Sequence, residues 1–137
     1  MSSRQKTFYE QELERLYNEV LPSPKLFALI RQSRSFMQKY HSENVVLDDL
    51  AKASFMSRFH YVRMFKQIYG VTPRTHLKDM RIDRAKLLLQ QGQSITKTCF
   101  DVGYESLTTF SAVFKKSTGY SPKAFQQLHT PLKNDAR

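Results

Sequence analysis

Apolar residues in this chain recur at intervals of three and four, and no sustained two-residue alternation marks a strand. Glycine and proline punctuate the pattern. Gly70, Gly92, Gly103 and Gly119 stop helical runs, and Pro24, Pro73 and Pro122 each follow directly on a serine or threonine. Such a pair starts a helix: the hydroxyl caps an orphan amide, and proline fills a first-turn position that needs no N–H. The expectation is an all-α chain. A first helix over about 8–20 carries Leu13, Leu16, Tyr17 and Val20 as a stripe, with Glu10, Glu12, Glu14 and Arg15 turned away. A second, capped by Ser23, presents Leu26, Leu29, Ile30, Phe36, Met37 and Tyr40 and ends near 41–44. A short helix over 47–54 follows, with Asp48 and Asp49 in its first turn, where carboxylates suit the helix dipole. The next is capped by Ser57 and ends at Gly70. A long helix spans 73–91, a short one capped by Ser94 spans 95–102, one opening at Ser106 runs to Gly119, and a last one runs from Ser121-Pro122 to about 128.

The later part of this pattern repeats the earlier part. Leu47, Leu50 and Ala51 match Ile95, Thr98 and Cys99 at a displacement of 48. Ser57, Tyr61, Phe65, Lys66, Gly70, Thr72 and Pro73 match Ser106, Phe110, Phe114, Lys115, Gly119, Ser121 and Pro122 at 49. One extra residue therefore lies in the second turn, expected around Gly103-Tyr104. Each copy is a short helix, a tight turn, a cap serine and a longer helix, with a small residue (Ala51, Cys99) where two helices must approach. This is the helix-turn-helix layout, in which the second helix can enter a major groove.

Sorting the longer helices by face gives candidate contact residues. Tyr61, Met64, Phe65 and Ile68 form one buried stripe; Phe110, Val113, Phe114 and Ser117 form the other. The outer faces are Phe59, Val62, Arg63 and Lys66 in the first copy and Thr108, Ser111, Ala112 and Lys115 in the second. Arg63 can bond guanine bidentately, Phe59 or Val62 can touch thymine methyls, and Thr108 and Ser111 can bond base edges or phosphates. The alternatives are a solvated arginine at 63 and an aromatic at 59 that merely flanks the core.

Charge agrees with a polyanionic partner. Residues 1–50 carry seven Lys/Arg and seven Asp/Glu, whereas residues 51–137 carry fifteen against five, so the net +10 lies entirely in the last 87 residues. Phosphate contacts are expected from Arg58, Lys66, Arg74, Lys115, Lys116 and Lys123, within a pool that also holds Lys78, Arg81 and Arg84. Arg81, beside the apolar stripe of the long helix, is the first candidate for an internal role. The long helix measures roughly 28 Å at about 1.5 Å per residue. With the width of its flanking units it could set both reading helices in adjacent grooves, about 34 Å apart.

Other chemistry finds little support. His41, His60, His76 and His129 show no metal-ligand spacing with Cys99 or with one another. There is no glycine-rich phosphate loop and no nucleophile elbow. Asp79 and Asp83 read as an ion-paired face beside Arg81, Arg84 and Lys86, and Cys99 as a core thiol. No enzyme activity, cofactor or metal is expected. No run of about 18 apolar residues exists to span a membrane. The N-terminus has no signal-peptide pattern, and the single cysteine fits a reducing cytoplasm.

At this point the chain resembles the AraC/XylS family of bacterial transcription regulators, over about residues 26–128. The motifs are LDDLAKASFMSRFHYVRMFKQIYGVTP, then RIDRAKLLLQQGQSI, then CFDVGYESLTTFSAVFKKSTGYSP. Gly103, Phe110, Phe114, Lys115, Gly119 and Ser121-Pro122 resemble the family signature most closely, and Arg81, Ala85, Leu88 and Leu89 its connector helix. The resemblance implies two helix-turn-helix subdomains joined by one long helix, acting mostly as an activator. It also implies base contacts from Phe59, Val62, Arg63, Thr108, Ser111 and Ala112. Ala112 departs from the long polar or basic side chain of many relatives, Cys99 from the usual alanine, Thr98 from a branched apolar residue, and Gln126 from a common closing arginine.

The organisation expected is an amphipathic N-terminal extension (1–22), a first helix-turn-helix subdomain (23–72), a connector (73–91), a second subdomain (92–128) and a flexible tail (129–137). About 25 residues precede the region of resemblance, too few to enclose an effector, which resembles the small stand-alone members; the alternative is a fragment of a longer protein. The expected function is sequence-specific binding of double-stranded DNA as a monomeric, cytoplasmic regulator, with RNA polymerase as a protein partner. The alternative is a helical protein-interaction adaptor with little DNA specificity.

Overall fold

The computed structural model of the protein describes residues 5–20 and 24–129. Among the described residues eight helices run in order: α1 Phe8–Val20, α2 Pro24–Tyr40, α3 Leu47–Ala53, α4 Arg58–Tyr69, α5 Pro73–Gln90, α6 Ile95–Asp101, α7 Leu107–Thr118 and α8 Pro122–His129. No strand occurs among the described residues. The expected caps form. Ser57, Thr72, Ser94 and Ser106 each accept the backbone N–H three residues on, and Gly70 and Gly119 close α4 and α7 in the left-handed region. The expected Ser23 cap lies outside the described residues, as does the tail beyond 129.

α5 runs through both halves of the molecule. It packs on α2 and α4, and on α6 and α8. Two cores result, with no residue in common. One is built from Ile30, Met37, Leu50, Tyr61, Met64, Phe65 and Leu77 among others; the second holds Ile82, Ala85, Leu89, Cys99, Phe110, Phe114 and Phe125. The boundary on α5 falls between Met80, packed on the first core, and Ile82 in the second. Ala51 and Cys99 are both buried, as the close helix approach requires.

The structure places the extra residue of the second turn. In both copies an amide reaches back to the small residue of the short helix: Met56 N–H to Ala51 O at 3.0 Å, and Tyr104 N–H to Cys99 O at 3.1 Å. Phe55 (φ 59°) and Gly103 (φ 101°) take the same left-handed position. Alignment at 48 thus holds through Tyr104, and the insertion is Glu105, not Gly103-Tyr104.

Three apolar expectations fail. α1 forms, opened by a reciprocal capping box of Thr7 and Glu10 (3.1 and 3.0 Å). Yet Leu13 and Leu16 are each 48% exposed, so this part of the expected stripe joins no core among the described residues; the side chains of Tyr17 and Val20 lie outside the described residues. Phe36 and Tyr40 stay exposed and pack on each other, ring centroids 4.7 Å apart. Ser117, expected in the second stripe, is exposed, since a hydroxymethyl gains little from burial at the position where Ile68 covers the first core.

A buried polar pair braces the first unit. Tyr61 Oη donates to Ser33 Oγ at 2.8 Å, and Ser33 Oγ donates to Ile30 O at 2.6 Å. Burial pushes the Tyr61 phenol above its ordinary value, with the Ser33 bond opposing. Ser33→Ala is expected to cost about 1–3 kcal/mol because it strands a buried phenol, whereas Tyr61→Phe should cost about 1 kcal/mol because Ser33 keeps its carbonyl. Urea unfolding of the two variants checks the order.

His76 joins the same unit. Arg34 Nε donates to its Nε2 at 3.3 Å, and the ring stacks on Tyr69 with centroids 6.2 Å apart. Burial, then the Arg34 charge, hold His76 below the ordinary histidine value of 6.5. The unfolded chain therefore takes up this proton first as pH falls. His76 contributes stability that is complete above 6.5 and is lost through the window running down towards its lowered folded value. His76→Gln, which keeps an acceptor for Arg34, should flatten the fall of the thermal midpoint just below 6.5. An unchanged slope would remove His76 as its source.

Candidate nucleic-acid interface

The caps and cores fix which faces of α4 and α7 remain open. On α4, Tyr61, Met64 and Phe65 are fully buried, which turns Phe59 and Arg63 outward; Phe59 is 71% exposed. The Arg63 guanidinium lies 4.8 Å from the Phe59 ring centroid, one turn away. This cation–π contact limits the rotamers of a long side chain. On α7, Phe110 and Phe114 are fully buried, and Thr108 and Ala112 are exposed. The middle candidates differ from the rest: Val62 is half-buried on the first core, and Ser111 is half-buried at the same register. The two helices thus present matched surfaces, a Phe–Arg pair on one and a Thr–Ala pair on the other.

The phosphate candidates Arg58, Lys66, Arg74, Lys115, Lys116 and Lys123 are all exposed. Arg58 pairs with Asp48 at 3.6 Å. Lys66, Lys115 and Lys116 lie in the last turns of their helices, where they also favour the local dipole. Lys86 pairs with Asp83 at 3.8 Å, as expected of α5, and Lys78, counted in the phosphate pool, pairs with Asp79 at 3.4 Å. Arg81 leaves the phosphate pool: its Nε donates to His41 O at 2.6 Å and its Nη2 to Glu43 O at 2.9 Å. Burial draws its pKa below the ordinary arginine value, against the opposing effect of Tyr104.

α4 and α7 border one cleft of about 600 Å³, to which they contribute Arg58 and Val113 and α5 contributes Arg74 and Lys78. Among the described residues, no three His, Cys, Asp or Glu side chains gather as a metal site. No described helix is long and apolar enough to cross a membrane. Cys99 lies in the second core, its thiol pushed up by burial. Gln126, the departure at the closing position, donates through Nε2 to Leu89 O at 3.0 Å and Gln93 O at 2.8 Å, tying α8 to the end of α5.

A helix-turn-helix domain family matches residues 50–128. The chain belongs to the AraC-type helix-turn-helix family of transcription regulators. This AraC-type chain is 28% identical over 120 residues to YdeC, an HTH-type transcriptional regulator of Bacillus subtilis strain 168, covering 87% of the chain and 40% of that relative. It superposes on the C-terminal domain of AraT, a response regulator from Geobacillus stearothermophilus, with a TM-score of 0.73 and 28% identity, covering 82% of this chain and 91% of that one. For a transcriptional regulator of Chromobacterium violaceum described as containing an AraC-type DNA-binding domain, the TM-score is 0.66 at 27% identity, with 74% and 92% covered. The chain spans 35–59% of the length of the curated relatives it matches first. The AraC-type fold is that of a DNA-binding regulator and not of an enzyme.

Proposed function

We propose that this AraC-type chain binds double-stranded DNA in a sequence-specific way as a monomer, setting α4 and α7 into adjacent major grooves, and that it activates transcription in the cytoplasm through contact with RNA polymerase. The observation that carries the reading is the matched pair of open faces: Phe59 and Arg63 on α4, Thr108 and Ala112 on α7, at the same registers of a duplicated unit. The shared cleft supports a common side for the two helices, and α5, roughly 27 Å long at about 1.5 Å per residue, suits the groove repeat. Val62 and Ser111 offer only the edge left by their partial burial. Ala112 limits the second helix to apolar contact at that position, so α7 reads less sequence than α4 and leans on Lys115, Lys116 and Lys123. The activator role and the polymerase contact extend the family resemblance to this chain.

Gel-shift titration across salt tests DNA binding against the adaptor alternative. Retention of duplex DNA should fall steeply with salt, and Lys115→Ala should weaken all sequences about equally and lower the log–log slope by about one. Weak retention that ignores salt would favour an adaptor.

A further inference from the structure

The two units share α5, but a single helix is a poor clamp between two separate cores. A second connection lies beside it. Arg81 sits on α5 at the boundary of the cores, and its guanidinium holds the loop between α2 and α3 through His41 O and Glu43 O. On the other side the same group lies 5.6 Å from the ring centroid of Tyr104, in the turn of the second unit. That turn presses on the loop itself. A Cβ added to Gly103 would meet Arg81 Nε, His41 O and Ser42 Cα, each at 3.1 Å. Val45, Arg81 and Tyr104 wall two clefts, of about 600 and 730 Å³, so the bridge divides the space between the units.

We propose that Arg81, with Gly103 and Tyr104, is a positioning latch that fixes the angle between the two helix-turn-helix units and thereby sets the spacing of DNA blocks the chain accepts. The part concerning DNA rests on the two-groove reading above. Two contacts, one through α5 and one through the latch, remove the bending freedom that one would leave. Each base pair inserted between two blocks rotates the second by about a tenth of a turn, which a rigid reader cannot follow. Gly103 is required twice over, by its φ of +101° and by the three atoms that a Cβ there would crowd. Gly119 has a similar φ of +85° but open space around it, so alanine there carries the backbone strain alone.

The test has two arms, both in the full chain. In the first, spin labels at Lys52→Cys and Gln127→Cys report the distance distribution between units without DNA. The background is Cys99→Ala, the residue that Ala51 supplies at the matching position of the first unit. Arg81→Met and Gly103→Ala should broaden the distribution and Gly119→Ala should not; equal widths in all four proteins overturn the latch. In the second, duplexes selected from random DNA are rebuilt with one base pair added or removed between the preferred blocks. The parent protein should lose about tenfold or more in affinity and Arg81→Met less than about threefold, with Arg81→Lys between them because an ammonium reaches one carbonyl well. A parent protein indifferent to spacing sinks the two-groove reading, and the label widths then decide the latch. A sharp spacing optimum kept by Arg81→Met overturns the latch while leaving that reading intact. Cooperative thermal melts show that each variant is folded.

Discussion

Phe114→Ala is expected to remove about 3–5 kcal/mol of stability, enough to unfold the second unit. Phe114 is fully buried in that unit's core: it packs on Phe110 within α7, with centroids 5.7 Å apart, and edge-on to Phe125 of α8 at 5.2 Å, in a cluster that includes Leu89 of α5. A void left by a ring held on several sides collapses only in part. The first core shares no residue with the second, so the loss should be local at the outset. Amide exchange should show protection lost across α6, α7 and α8 and kept in α3 and α4. Equal loss in both units would mean that they fold as one cooperative body.

Arg63→Ala carries the second large effect. Its expected cost is about 1–3 kcal/mol of discrimination at one base position, with little loss on random DNA. The physical reason is the geometry of α4. Tyr61, Met64 and Phe65 anchor its inner face, and Phe59 offers a ring 4.8 Å beneath the guanidinium, so the fork is partly oriented before it meets a base edge. Phe59→Ala should then reproduce part of the effect without touching the charge. Affinities for duplexes carrying each of four bases at the preferred position measure both variants. Unchanged base preference in Arg63→Ala would remove direct readout by this residue.

Much of this architecture was legible in the sequence because it is written in local signals. A hydroxyl before proline, a glycine after a periodic run, and a stripe at three- and four-residue spacing each act within one or two turns. They placed α2 to α8 and sorted Phe59, Arg63, Thr108 and Ala112 from the buried face. What escaped was non-local. Arg81 meets backbone carbonyls some 40 residues away, and a carbonyl has no residue type to recognise. The Tyr61–Ser33 pair spans 28 residues, and the Arg34–His76 pair 42. Periodicity also overstates burial where no core forms over the stripe among the described residues, as at Leu13, Leu16 and Phe36. The displacement between copies counted the inserted residue but could not place it; the left-handed pair Phe55 and Gly103 did.

Methylation interference at guanine N7, on a duplex recovered by selection from random DNA, probes the major groove directly. Two helices reading one side of the duplex predict two clusters of interfering guanines whose centres lie about ten base pairs apart. One cluster alone, or two separated by about half a turn, would contradict a chain that lays α4 and α7 into successive grooves.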